Sequence, residues 1–145
     1  AGGIANGRQM LAAMVMGAEG VQLGSRFVAS EEASSHINFK NEVINSKEGD
    51  TKLAMKELTP VRLLKNDFFK EVDEAEKRGA TVEELKTLLG KARAKKGMFE
   101  GDLAEGELEI GQVSALLHDI LPAGKIVEQV WEEFMNGLKN PLKIN

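Results

Sequence analysis

The sequence predicts an α/β fold, the closing part of a parallel β/α array that carries an added, mostly helical region. Three observations carry that reading. A glycine turn, AGGIANG, opens the chain. An apolar helix-forming run, RQMLAAMVMG, follows at residues 8–17, and the strand-like GVQLG then ends in a second glycine turn at Gly24-Ser25. A turn, a helix of about three turns, a short strand and another turn make the rhythm of a βα unit.

The first helix has Asn6 placed to cap its start and Gly17 to end it. It is apolar nearly all round, so most of its sides must be covered. The strand that should precede AGGI is missing, and an open parallel unit this apolar leaves faces and edges bare. The expectation is therefore that partner strands come from elsewhere and that the chain is the back end of a larger enzyme.

The middle differs in character. SSHINFKNEVINSKEG reads as a loop and a short helix with Phe39, Val43 and Ile44 on one side. TKLAMKEL is ambiguous, with strand as one reading, and Pro60 interrupts the chain just beyond it. NDFFKEVDEAEKRG has an Asn66 cap, a stripe of Phe68, Phe69, Val72 and Ala75, and Gly79 as its stop. TVEELKTLLGKARAKKG opens on a capping box, Thr81 to Glu84, and its stripe is Val82, Leu85, Leu88, Leu89 and Ala92. Near the end, Val113, Leu116, Leu117, Ile120 and Leu121 fit a helical template until Pro122. A second stripe of Ile126, Val127, Val130, Trp131, Phe134 and Leu138 comes after it.

Bulk properties narrow the function. A chain of 145 residues that is 42% hydrophobic can build one modest core. A net charge of -4 argues against nucleic acid as the main partner. The basic cluster Lys91, Arg93, Lys95 and Lys96 reads as a solvated helix end, where cations complement the dipole. No cysteine is present, so thiolate chemistry and disulfides are excluded. No apolar run approaches the ~20 residues that span a bilayer, and nothing resembles a signal peptide. A soluble, cytoplasmic protein without a membrane partner is expected.

The glycine turns carry the chemistry. Phosphate binds where several backbone N–H groups point at one spot, and a side chain there would block it. Gly2-Gly3 after one strand and Gly24-Ser25 after the next supply bare backbone at matching strand ends. Ser25 adds a hydroxyl, and SRFVAS could start a short helix facing the same point. In (β/α)8 barrels the phosphate site is frequently built from the loops after strands seven and eight plus such a helix. Either turn alone is equally an ordinary glycine turn; the pair tilts toward phosphate. Arg26 could assist the anion or pair with a carboxylate.

The same residues resemble a known family. AGGIANG followed by GAEGVQLGSRFVAS is similar to the G-G-I-[AD]-[DN]-G and G-V-Q-M-G-T-R-F motifs of nitronate monooxygenases, formerly 2-nitropropane dioxygenases, and of the related flavin-dependent enoyl-[acyl-carrier-protein] reductases. HINFKNEVINS resembles the family's H-P-N-Y-K segment, VRLLKN its V-R-x-[LI]-K-N, and GDLAEGELEIGQVSALL its G-D-x-x-x-G-x-x-x-x-G-Q-x-[SA]-G-L. The likeness runs in order along essentially the whole chain. Departures are Leu23 for Met, Ser25 for Thr, Ile37 for Pro, Phe39 for Tyr, and ELEIGQ for S-V-M-A-G-Q.

The resemblance implies the C-terminal part of an FMN-binding (β/α)8 TIM barrel. Residues 1–30 would be the last βα units, 31–105 a mostly helical subdomain, and 106–145 helices returning to the barrel. It implies an FMN cofactor held by Gly2, Gly3, Gln22, Leu23, Gly24 and Ser25, with the catalytic residues in an absent N-terminal half. The activity implied is oxidation of alkyl nitronates with oxygen; the alternatives are NAD(P)H-dependent enoyl reduction and, from another class, a non-enzymatic helical interaction fragment. A small-molecule substrate is the expected partner, with a homodimer if the chain self-associates. His36 reads as a hydrogen-bonding loop residue ahead of a general base. His118 reads as surface, and no metal site can be assembled. Gln112 and Gly111 read as a helix-start turn, with approach to the flavin pocket as the other option. The pairs Glu31-Glu32, Glu83-Glu84 and Glu132-Glu133 read as solvated helix edges.

Overall fold

The computed structural model describes residues 1–141. Among them are six α-helices: α1 Gly7–Val15, α2 Ser25–Val28, α3 Ile37–Asn45, α4 Asp67–Lys77, α5 Val82–Leu89 and α6 Ala123–Lys139. Two short strands, β1 Thr51–Ala54 and β2 Val61–Leu64, pair antiparallel with Thr51 opposite Leu64 and Ala54 opposite Val61.

The caps stand where the sequence predicts them. Asn6 Oδ1 accepts from the Gln9 amide at 2.9 Å, and Asn66 Oδ1 from the Phe69 amide at 2.8 Å. Thr81 and Glu84 close the reciprocal capping box on α5. Gly17, at φ +99°, ends α1 with its amide bonded to the Met14 carbonyl and the Ala18 amide to the Ala13 carbonyl. That bond pair is a Schellman stop, which requires a left-handed residue at the Gly17 position.

The hairpin separates two cores. Successive strand residues face opposite sides, so Leu64 joins Phe39, Val43, Leu108, Ile110, Val113 and Leu117, while Leu63 joins Ala54, Met55, Phe68, Phe69, Val72 and Leu85. Residues 107–110 run along the free edge of β2. The Leu64 amide bonds the Leu108 carbonyl at 3.0 Å, the Ile110 amide bonds the Arg62 carbonyl at 3.1 Å, and Leu63 bridges Glu109 antiparallel. Each apolar stripe of α3 and α4 finds one of these two cores.

Four expectations are corrected. GVQLG forms no regular strand here: residues 1–3 meet it through a single backbone bond, Gly2 amide to Gln22 carbonyl at 3.3 Å. Strand geometry needs a ladder, and one bond is not a ladder. The region 31–105 contains the β1–β2 hairpin, of which the sequence pattern suggests only the first strand. The stripe ending in Ala92 stops at Leu89, because the chain turns at Gly90 and Ala92 adopts φ +63°. The helix expected over 113–121 is a single 3-10 turn, Gln112–Leu116, followed by extended chain. There tertiary partners capture the backbone: Leu121 bridges Ser30 in parallel fashion, and the Glu31 amide bonds the Leu121 carbonyl at 3.0 Å.

The basic cluster is also placed differently. Arg93, Lys95 and Lys96 pair with Glu105, Glu100 and Asp102 within the loop that contains the π-helical turn Lys95–Phe99. Arg93 further stacks over the Phe68 ring, 4.5 Å from its centre. These cations tie a loop together and do not form an open patch.

Helix α1 is covered on one side only, by α6. Gly7 makes that approach: a Cβ there would lie 2.2 Å from the Val130 carbonyl oxygen. On the other side Val15 and Met16 are exposed, as are Val127, Trp131 and Leu138 of α6. An apolar groove of about 240 Å³ runs between the helices, lined by Met10, Val21, Leu23, Phe27, Val127 and Trp131. Among the described residues no helix is long and apolar enough to cross a membrane.

Asn66 offers a test of the fold. Besides capping α4, its amide nitrogen donates to the Leu103 carbonyl at 2.9 Å and the Gly106 carbonyl at 2.7 Å. Asn66→Ala is expected to lower unfolding free energy by about 2 kcal/mol in urea titrations. Asn66→Asp keeps a good cap but loses both donors, so it should also destabilise, by about 1 kcal/mol. Wild-type stability in the Asp variant would show that the tie to residues 103–106 contributes nothing.

Candidate functional site

The two glycine turns lie side by side. Gly2 and Gly3 adopt φ +80° and +73°, conformations that L side chains rarely take. Their only backbone link across is the Gly2 amide to the Gln22 carbonyl, which aligns residues 1–3 with 22–24. That bond commits the Gly2 N–H, so any ligand held there must draw on the amides of other residues. A Cβ built on Gly2, Gly3 or Gly24 would meet nothing within 4 Å, so the space beside all three is open.

Gly24 leads directly into α2, only four residues long. Its carbonyl accepts the amides of Phe27 at 3.0 Å and Val28 at 3.1 Å, while the first N–H groups of the helix have no intrahelical acceptor. Ser25 and Arg26 therefore present amides at the mouth of the turn. Gln22 is exposed, and Leu23 lines the apolar groove behind it.

Three groups fix α2. The Gly111 amide donates to Ser25 Oγ at 3.2 Å. Arg26 is 5% exposed, its guanidinium donating to the Asp119 carboxylate at 2.5 Å and the Asp119 carbonyl at 3.1 Å. Of the two readings of Arg26, pairing with a carboxylate is the one the fold realises. Past the end of the helix, the buried Lys40 donates to the carbonyls of Ser30 at 2.6 Å and Glu31 at 3.1 Å.

Other candidates fall elsewhere. His36 caps α3, its Nδ1 accepting from the Asn38 amide at 3.1 Å, and its ring lies against Gly101, where a Cβ would come within 2.2 Å of Nδ1. It is a structural residue, in keeping with the hydrogen-bonding reading. His118 is exposed. Gln112 is exposed at the head of the 3-10 turn, but Gly111 beside it reaches Ser25, so this segment does approach the glycine turn. The paired acids are more than solvated edges. Glu32 accepts from the Ala123 amide at the start of α6, and Glu133 from the Gly7 amide at the start of α1, both at 2.8 Å. Glu84 does the same for α5, so one acid of each pair sits on a positive helix end. Among the described residues no group of His, Cys, Asp or Glu could hold a metal ion.

One carboxyl is strongly perturbed. Glu107 is 7% exposed; burial first, and then the neighbouring Glu109, raise its pKa to about 7, against the pull of Arg93. Asp73 is perturbed in the opposite direction, to about 2, by its hydrogen bonds to Lys52 and Lys77. Neither touches the glycine turns.

Paired glycine turns thus lead into a short helix that three distant parts of the chain hold in place. The family model for nitronate monooxygenase matches residues 1–133, and the chain belongs to that family. A probable nitronate monooxygenase of Staphylococcus saprophyticus is 41% identical over 76 residues, 51% of this chain and 21% of that protein. The structure of FabK from Thermotoga maritima superposes with a TM-score of 0.88 at 33% identity, covering 97% of this chain and 44% of that one. Nitroalkane oxidase from Streptomyces ansochromogenes gives 0.74 at 30% identity, covering 97% and 40%. The chain thus spans less than half the length of the proteins it matches, and it is part of an oxidoreductase family.

The Glu107 carboxyl predicts a pH dependence. An unfolded chain releases this proton near the ordinary 4.5, whereas the folded chain holds it to about 7. The folded state then binds more protons between those values. Its stability contribution is fully present below pH 4.5 and is lost as pH rises through about 7. Urea midpoints at pH 5 and pH 8 should differ in that sense, and Glu107→Gln should shrink the difference. An undiminished difference in the variant would assign the effect to other groups.

Proposed function

We propose that this chain supplies the phosphate-binding end of an FMN-dependent oxidoreductase of the nitronate monooxygenase type, one that oxidises alkyl nitronates with oxygen. One observation supports it most: the Gly2–Gln22 bond brings two glycine turns together at the mouth of α2, where open backbone and uncommitted amides meet. The residues fit a phosphate. The amides of Gly3, Gly24, Ser25 and Arg26 and the Ser25 hydroxyl would hold it, with Leu23 and Gln22 flanking. Bound FMN supplies the redox chemistry, while these residues bind and orient it.

The proposal includes the rest of a (β/α)8 barrel, built from the length that the relatives have and this chain lacks. The exposed apolar surface on α1 and α6 is the face such strands and helices would cover. Within that architecture residues 1–30, 31–105 and 106–145 serve as barrel end, subdomain and return. A cytoplasmic location and a homodimer belong to the same proposal. A second reading, FMN- and NAD(P)H-dependent enoyl reduction, rests on the same motifs and on the higher TM-score of the FabK structure. Assaying a longer protein that contains this chain with an enoyl thioester plus a nicotinamide cofactor, against an alkyl nitronate plus oxygen, separates the two.

In ¹⁵N NMR titrations of the 145-residue chain, FMN and orthophosphate should shift the amides of Gly3, Gly24 and Ser25, and riboflavin should not. Equal shifts with riboflavin would remove the phosphate reading. The chain purified alone should be colourless and without turnover, since an open barrel lacks closure and the remaining flavin contacts. Turnover by the chain itself would overturn that expectation.

A further inference from the structure

Gly111 is a glycine without a conformational reason. Its φ of -69° and ψ of 151° suit any residue. What a side chain would do here is displace Ser25 Oγ: a Cβ would stand 2.8 Å from that oxygen, with Val113 Cγ1 next at 3.8 Å. The backbone here is held firmly. Ile110 bonds Arg62, the Ser114 amide bonds the Gly111 carbonyl at 3.0 Å, and Ile110 and Val113 are both buried in the core. A fixed N–H is thus delivered to Ser25 Oγ at 3.2 Å from a segment 86 residues away.

A serine hydroxyl has one proton to donate and two lone pairs. With the Gly111 N–H directed at one lone pair, the O–H proton cannot point at Gly111, and no acceptor for it is found among the described residues. We propose that Gly111 is a positioning residue that makes Ser25 a hydrogen-bond donor toward an acceptor-only anionic oxygen, such as that of a phosphate monoester. The inference rests on the anion-binding reading of the glycine turns and adds to it a residue from outside them. It explains why a hydroxyl is useful at position 25 and why its neighbour from the 110–112 segment lacks a side chain. The ligand oxygen receives a charge-assisted bond from a hydroxyl whose orientation is set before binding.

A double-mutant cycle in a longer protein that contains this chain tests this, with orthophosphate and FMN as probes and amide shifts as readout. Gly111→Ala should weaken binding of both about tenfold, and Ser25→Ala by a similar factor. In the Ser25→Ala background the methyl of Gly111→Ala has nothing to displace, so the double variant should bind like Ser25→Ala alone. Ser25→Thr, which keeps the hydroxyl, should retain binding. Full, independent losses in the double variant, or no loss in Gly111→Ala, would overturn the inference while leaving the anion site standing. Hydrogen exchange gives a second measurement that needs no folded Gly111 variant: protection of the Gly111 amide should fall in Ser25→Ala. Unchanged protection would show that the bond to Oγ is absent and would also overturn it. If the wild-type protein responds to neither probe, the anion reading fails and takes this inference with it, even where the exchange result holds.

Discussion

A four-residue helix cannot stand by itself. Nucleation fixes several backbone dihedrals for one hydrogen bond, and a single turn never recovers that cost. α2 exists because its surroundings hold it: Gly111 at its first residue, Asp119 on the flank through Arg26, and Lys40 on the carbonyls just beyond its end. Each clamp comes from a different part of the chain. The folding of α3, of the edge beside β2 and of the extended 117–121 segment therefore converges on the orientation of one short turn.

The clamps divide the electrostatic work. Arg26 is buried, and without Asp119 an uncompensated charge would remain inside the protein. Lys40 is buried as well and has carbonyl oxygens as partners, a role that complements the negative end of a helix. Acids serve the opposite ends: Glu32, Glu84 and Glu133 each accept an amide at a helix start. Charge in this chain mostly terminates helices and seats loops.

Close approach explains several glycines that turn chemistry alone does not. Gly106 packs on Gly97, where an added Cβ would lie 2.1 Å from the facing Cα, and Gly101 receives the ring of His36. The first contact closes the loop 95–106 on itself, and the second ties it to the start of α3. The family resemblance marks several of these positions as motif residues, among them Gly101, Gly106 and Gly111. The structure shows a shared reason for them: two backbones, or a backbone and a side chain, occupy space that a methyl group would need.

Local chemistry was written in the sequence. Asn6, Asn66 and Thr81 cap helices because a side-chain oxygen can reach an unpaired amide three residues on, and Gly17 stops α1 because glycine alone takes the left-handed turn cheaply. The stripes of α3, α4 and α6 were legible for the same local reason, a 3.6-residue period. The glycine turns and their order could also be read, together with the family they resemble. Tertiary structure decided whatever depends on a distant partner. It drew 117–121 out of a helix by giving its backbone to Ser30 and Glu31, chose Asp119 for Arg26 across 93 residues, and set Gly111 against Ser25. Periodicity reports which side chains are apolar; it carries no information about which backbone another segment will capture.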